Sequence, residues 1–210
     1  MKLNEIFLSI QGESLSSGFP TIFVRFTGCN LRCSYCDTTY AYNEGKEMTP
    51  EDVFKEVCKY YCKRVCLTGG EPLLQNRLLQ LIELMEDYIV TIETNGSINI
   101  NNLQLKNKKH SFVLDIKAPS SKCSDQMLME NFKFLEDKDE IKFVIGDRAD
   151  YEWSKQIISS FHKKGTITFS PVFRKLDYAK MVRWILEDKL NVRFQLQLHK
   201  IIWDPHKTGV

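Results

Sequence analysis

Seven of the 210 residues are cysteines, and three of them stand close together in Gly28-Cys29-Asn30-Leu31-Arg32-Cys33-Ser34-Tyr35-Cys36-Asp37. The C-x3-C-x2-C spacing places three sulfurs on one short loop that can wrap a small inorganic core. The count is informative. A structural zinc site takes four protein ligands, and an ordinary [4Fe–4S] electron carrier takes four cysteines. Three cysteines leave one iron without a protein ligand, open to a substrate or cofactor. Two other chemistries fit the same residues. A distant His, Cys66 or Cys123 would complete a zinc site, and Cys33 with Cys36 would make a redox pair, although such pairs usually sit at a helix start.

A second cluster of useful types is Thr68-Gly69-Gly70-Glu71-Pro72. Glycines let backbone approach a ligand closely, and a carboxylate can accept from an ammonium group. Taken alone, the same residues also make a strand–helix turn.

These residues need elements to hold them. The sequence predicts strands over Thr21–Thr27, Arg64–Leu67, Tyr88–Glu93, Phe112–Ile116, Glu140–Ile145, Thr166–Phe169 and Val192–Leu198. Several are apolar at consecutive positions, as in parallel strands covered on both faces. Helices are predicted over Pro50–Lys63, Pro72–Asp87, Ser124–Glu136, Ala149–Lys163 and Leu176–Asp188. Thr49 before Pro50, with Glu51 and Asp52 in the first turn, is a strong helix start. Leu78, Leu81, Ile82 and Met85 form a helical stripe that packs on a sheet. Alternating strands and helices imply right-handed crossovers and a parallel sheet. The expected fold is α/β, a partial β/α barrel of about six parallel strands, short of the closed eightfold form. Residues 1–210 read as one domain, without linker or repeat. In such folds chemistry sits at the carboxyl ends of strands, where both clusters fall.

Composition narrows the class. Hydrophobic residues make up 43% and charged residues 27%, as in globular proteins. The formal charge of +2 is too small to draw nucleic acid strongly. No apolar run reaches the roughly 18 residues of a membrane span, and no export signal is visible at the N-terminus. An odd cysteine count fits a reducing cytoplasm better than a disulfide framework. Cys58 and Cys62, four apart on one expected helix face, read with Cys66 and Cys123 as buried small apolar residues.

The cysteine stretch resembles the signature of the radical S-adenosylmethionine (SAM) enzymes, in which three cysteines hold a [4Fe–4S] cluster. In that family SAM chelates the fourth iron, and an aromatic residue, here Tyr35, precedes the third cysteine. Thr68–Pro72 is similar to the second motif of these enzymes. The chain resembles one branch more closely, the 7-carboxy-7-deazaguanine synthase family, which makes the core of queuosine-type nucleosides. That likeness is carried by Asn4–Glu13, Gly18-x-Pro20, Phe23–Phe26, Gly28–Thr38, Thr68–Pro72, Glu93–Gly96, Lys117-x-Pro119-Ser120-Ser121, Ser170–Val172 and Gln197-x-His199-Lys200.

The resemblance implies a reaction: 6-carboxy-5,6,7,8-tetrahydropterin loses ammonia and contracts to 7-carboxy-7-deazaguanine, started by a 5′-deoxyadenosyl radical taking hydrogen from C6. It implies cluster ligation by Cys29, Cys33 and Cys36, and Mg2+ at Thr38. SAM contacts are implied for Tyr35, Cys36, Asp37, Gly69, Gly70, Glu71, Glu93, Asn95, Asp115, Lys117, Ser170, Val172 and Phe173. Substrate contacts are implied for Ile10, Gln11, Gly12, Glu13, Arg25, Thr68 and His199. Arg25 suits the substrate carboxylate, although it also suits a structural ion pair, and Thr38 also suits a loop cap. Further implications are a flavodoxin or ferredoxin reductant, a homodimer, and no direct contact with nucleic acid or membrane. The alternative within radical chemistry is an activating enzyme for a glycyl-radical protein partner. Asp37-Thr38 and the Ile10–Glu13 segment speak against it.

Overall fold

The computed structural model describes all 210 residues, and its strands alternate in a way that their apolar runs concealed. Nine strands form one sheet: β1 (Lys2–Ile10), β2 (Pro20–Phe26), β3 (Lys46–Glu47), β4 (Arg64–Gly69), β5 (Ile89–Thr94), β6 (His110–Ile116), β7 (Glu140–Ile145), β8 (Thr166–Pro171) and β9 (Arg193–Phe194). Their order is β3-β1-β2-β4-β5-β6-β7-β8-β9. From β2 to β9 every neighbouring pair is parallel. Six of these strands are six or seven residues long and β9 has two. The sheet stays open, as expected of a partial barrel.

Side chains along a strand point alternately to its two faces. Ile22, Val24, Phe26, Val65, Leu67, Val90, Ile92, Leu114, Ile116, Ile141, Phe143, Ile145 and Phe169 all belong to the main core. With them pack side chains from α1 (Pro50–Val57), α2 (Leu78–Leu84), α3 (Arg148–Phe161) and α4 (Tyr178–Glu187), among them Val53, Leu81, Tyr151 and Met181. Each such side chain removed from water contributes about 1.5–3 kcal/mol. The intervening positions are different in kind. Arg25 pairs in register with Thr68, and Asp115 with Lys142, which pairs with Thr168. One face of the sheet is therefore apolar and helix-covered, and the other, concave face carries the polar and charged side chains, with Phe23, Cys66 and Val113 among them. Covering by helices on both faces, the expectation from sequence, does not hold.

Other departures have local causes. β1 was not foreseen. It is antiparallel to β2 and β3, and its mixed sequence Lys2-Leu3-Asn4-Glu5-Ile6-Phe7 lacks a clean period. The Pro72–Asp87 helix breaks into a 3-10 turn at Pro72–Leu74 and α2, because Gln75 is extended. Its side chain accepts from Lys2 N at 2.9 Å and donates to Thr27 O at 3.1 Å, tying two strands together. Ser124–Glu136 forms 3-10 turns at Ser124–Gln126 and Met129–Phe134 instead of an α-helix. There Asn131 donates to Gly96 O and Ile98 O and accepts from Ile100 N, so the segment bonds to the loop after β5. The helix from Pro50 ends at Val57, which leaves Cys58 exposed and Cys62 half-buried beyond it. The shared helical face expected of those two cysteines is absent, whereas Cys66 and Cys123 are buried. Strand pairing at the end of the sheet stops at Phe194, short of the expected Leu198, and a short helix, α5 (His199–Ile202), follows. No helix is long and apolar enough to cross a membrane.

Candidate active site on the concave face

The cysteine loop leaves β2 through Gly28, whose φ of +98° favours glycine, and it is pinned from three neighbouring strand ends. From β4, Gly70 N donates to Phe26 O at 3.1 Å and Glu71 N donates to Gly28 O at 2.8 Å. A Cβ on Gly70 would lie 1.9 Å from Gly28 O. The close approach that glycine permits here is thus to the cysteine loop itself. From β5, Asn95 Nδ2 donates to Asn30 Oδ1 at 3.1 Å and lies 3.6 Å from Cys29 Sγ. From β6, Ser34 N donates to Ser121 O at 2.9 Å and Ser34 Oγ to Ser120 O at 2.6 Å.

Cys29, Cys33 and Cys36 are unbridged and half-buried. Burial pushes the Cys33 thiol up to about 12, with Asp115 and Cys123 adding to the effect and Lys117 opposing it. Burial raises Cys29 as well. Thiolates at these positions would need positive charge brought beside them. No three Cys, His, Asp or Glu side chains converge on a point that would hold a single ion.

Beside the loop lies a pair from β6: Lys117 Nζ sits 2.7 Å from Asp115 Oδ2. Burial alone would lower Lys117, but Asp115 and Tyr35 hold it well above the usual lysine range. Asp115 Oδ1 and the Tyr35 hydroxyl are buried and unpartnered. They are acceptor and donor capacity left for a ligand. Ser170 is buried at the end of β8. Val172 has both backbone groups engaged, donating to Ile145 O and accepting from Lys175 N and Leu176 N, so only its side chain is free to face a ligand. Phe173 packs within 5.3 Å of Lys200 Nζ.

A second polar group lies across the concave face. Gln11 Nε2 donates to Glu93 Oε1 at 3.3 Å, and Thr68 Oγ1 donates to Glu93 Oε2 at 2.8 Å. Gly12 meets α5: a Cβ there would lie 2.3 Å from His199 Nδ1, and Gly12 O accepts from Leu198 N at 3.0 Å. Burial lowers His199, with Glu13 opposing. Glu13 forms an ion pair with Lys142, and its Oε1 is buried without a partner. Arg25 Nε binds Glu5 Oε1 at 2.7 Å, and the Tyr40 hydroxyl donates to the same oxygen at 2.9 Å. That is the structural ion pair, but it uses Nε alone among the guanidinium nitrogens. Ile10 ends β1 opposite Pro20.

Three of the expected SAM residues have other work. Glu71 is fully buried and accepts from Leu73 N at 3.0 Å, Thr94 Oγ1 at 2.8 Å and Asn95 N at 2.7 Å. It braces the ends of β4 and β5 and is not presented to a ligand. Glu93 groups with Gln11 and Thr68, whereas Asn95, beyond the end of β5, bonds to Asn30 of the cysteine loop. Asp37 Oδ2 binds Lys200 Nζ at 2.5 Å and accepts from Gln197 Nε2 at 3.4 Å, while Asp37 Oδ1 accepts from Thr38 Oγ1 at 3.0 Å. Burial would raise the Asp37 carboxyl, but the Lys200 ammonium holds it well below the usual range.

Lys142, Glu140, Glu5 and Lys200 escaped the sequence reading as site residues. Glu140-Ile141-Lys142-Phe143 carried a signal: charges at every second position of an otherwise apolar strand mark a polar face.

Comparison with known proteins places this geometry in context. The radical SAM superfamily profile matches residues 23–185. A 7-carboxy-7-deazaguanine synthase of Clostridium acetobutylicum is 43% identical over 219 aligned positions, covering 100% of this chain and 99% of the relative. One from Koribacter versatilis is 40% identical and covers 100% of both chains. The crystal structure of QueE from Escherichia coli superposes with a TM-score of 0.77 at 22% identity over 93% of each chain, a likeness of fold.

Proposed function

The chain belongs to the 7-carboxy-7-deazaguanine synthase family of radical SAM enzymes, and from that premise we propose which of its residues carry the reaction. It is a radical SAM lyase that converts 6-carboxy-5,6,7,8-tetrahydropterin to 7-carboxy-7-deazaguanine and ammonia, with SAM regenerated. The full-length likeness to synthases of that name favours this over the activation of a glycyl-radical partner.

Cys29, Cys33 and Cys36 would hold the cluster, which with SAM and one electron would supply the radical chemistry at C6 of the pterin. The donor set fits: three unbridged thiols on one braced loop, beside buried polar atoms without partners. Tyr35, Gly69, Asn95, Asp115 and Lys117 face SAM from the near side, with Ser170, Val172 and Phe173 across from them. Asp115 Oδ1 is an acceptor for its ammonium group, and Lys117 is the countercharge to its carboxylate. Gln11, Gly12, Glu13, Arg25, Thr68 and His199 take the pterin. Glu13 and Glu93 suit its N–H edge, and the free arm of Arg25 suits its carboxylate. Thr38 offers one neutral oxygen to Mg2+, which commonly keeps water and substrate oxygens in its shell.

The observation that carries this reading is the juxtaposition on one concave face of the cysteine loop and buried, unpartnered acceptors. We further propose that residues 1–210 act as one catalytic domain, as a homodimer, in the reducing cytoplasm, with flavodoxin or ferredoxin as reductant. The decisive experiment supplies anaerobic, iron-reconstituted protein with SAM, reductant, Mg2+ and carboxytetrahydropterin. The expected product is the deazapurine carboxylate with about four irons per chain. A colourless protein with stoichiometric zinc, or a glycyl radical raised in a partner, would reverse the assignment.

A further inference from the structure

Lys142 is the concave-face residue for which neither motif nor family likeness supplies a use. It rises from the middle of β7, in register between Asp115 on β6 and Thr168 on β8. Its side chain is nine-tenths buried, and its hydrogen bond goes to Glu13 Oε2. The other oxygen of Glu13 is buried and has no partner.

A purely structural bond would be redundant here, because the Glu13–Ser17 loop is already fastened at three other points. Glu140 Oε2 accepts from Leu15 N at 2.8 Å, Arg193 Nη1 donates to Ser14 O at 2.8 Å, and Gln195 Nε2 donates to Ser17 Oγ at 3.4 Å. The first two of those contacts place the loop backbone. Lys142 acts on the side chain. A buried ion pair is also a weak source of stability, since desolvation consumes most of its attraction. An ion pair with one oxygen left unpaired is weaker still. The arrangement becomes favourable once a donor reaches that oxygen.

We propose that Lys142 is a positioning residue of the substrate subsite: its ammonium fixes Glu13 through one carboxylate oxygen and so presents the other to an N–H donor of the pterin. This rests on the function proposed above and adds to it a residue and a role. Glu13 faces Lys142 from β7, His199 from α5 and Asp37 from the cysteine loop. Lys142 faces Glu13, Asp115 and Glu93. Burial alone would raise the Glu13 carboxyl, but Lys142 and then His199 hold it below its ordinary value. The carboxylate is therefore ionised at neutral pH, the form that accepts strongly from N–H groups.

The test is Lys142→Met, with Lys142→Arg and the pair Glu13→Gln and Glu13→Gln/Lys142→Met beside it. Loss of one charge-assisted hydrogen bond predicts a KM for carboxytetrahydropterin raised roughly 10- to 100-fold, with kcat within about threefold and iron content at the wild-type level. With the ammonium gone, burial dominates Glu13, so the acid-side fall in kcat/KM should move to higher pH. Lys142→Arg should recover most of the affinity. The double variant removes both charges and so leaves no lone buried ion. It should be no worse than Glu13→Gln alone, and this comparison decides the matter if Lys142→Met fails to accumulate. A KM unchanged in Lys142→Met, an acid limb that stays in place, or additive losses in the double variant would overturn the proposal. Wild-type protein that makes no deazapurine sinks the functional assignment instead, so the two failures are distinguishable.

Discussion

Substituting Gly70 by alanine separates two uses of the Gly69-Gly70 pair. If the glycines serve to let a ligand approach, Gly70→Ala should weaken SAM binding and leave the cluster in place. The geometry says otherwise. The new Cβ would stand 1.9 Å from Gly28 O and 3.0 Å from Cys29 N, both backbone atoms of the cysteine loop. Carbon–oxygen contacts below 3.0 Å do not persist, so the loop and the end of β4 must part by about 1 Å or more. Two hydrogen bonds cross that gap, Glu71 N to Gly28 O at 2.8 Å and Gly70 N to Phe26 O at 3.1 Å. At about 1 kcal/mol each their weakening costs roughly 2 kcal/mol, or about 4–8 °C in Tm for a chain of this size. The displacement falls on the residue that carries the first thiol. Iron per chain and the visible absorbance of the reconstituted protein should drop several-fold, with Tm lowered by that amount. Full iron content with lost SAM affinity would refute the packing argument and restore ligand approach as the purpose of Gly70.

Glu71→Gln should lower Tm by several degrees, because the amide nitrogen cannot accept one of the three hydrogen bonds now received; SAM affinity in isothermal titration should stay within about threefold, and a larger loss would return Glu71 to the SAM site. Cys36→Ala should abolish the cluster, whereas Cys123→Ala should retain about four irons per chain; iron loss in the second variant would make Cys123 a ligand. Thr38→Ala should lower turnover and its Mg2+ dependence with iron content intact, and loss of the cluster would mean that the hydroxyl supports the loop through Asp37. The Asp37–Lys200 contact fastens α5 to the cysteine loop. Asp37 has its carboxyl depressed in the fold, so its contribution is complete above the ordinary aspartate pKa of about 4 and disappears only as pH falls further. Amide exchange in Leu198–Trp203 should accordingly not change between about pH 7 and 8, where Asp37 is ionised and His199 neutral, after correction for intrinsic rates, while Lys200→Met should raise it throughout that range.

What could be read from the sequence follows from what is local. Six parallel strands were legible because each is a short β-rich run bounded by turn residues, and the cysteine loop because its chemistry resides in spacing. The helix start at Thr49 held as well, its side chain accepting from Asp52 N. The missing features were decided by distant partners. Gln75 breaks a helix because two strands outbid its own turn, and Asn131 unravels another by bonding to the loop after β5. Glu71 looked like a ligand contact because a carboxylate at a strand end is chemically apt. Only the positions of Thr94 and Asn95 show that its oxygens are already in use.

The same distinction explains why the substrate half of the site was harder to see than the SAM half. The SAM half is built from the carboxyl ends of successive parallel strands, a rule that applies to any β/α sheet. The substrate half depends on closing a sheet that the fold leaves open. The loop after β1 does so by crossing to the far strands, where Glu140, Lys142, Arg193 and Gln195 receive it, and α5 lies over Gly12. Every one of those contacts joins residues more than a hundred positions apart, so no window of sequence contains both partners. Alternation is the one local trace they leave. A charge survives at Lys142, between Ile141 and Phe143 in the core, only because something polar faces it. In a parallel strand with a helix on its other side, such a residue points to the ligand or to whatever holds the ligand.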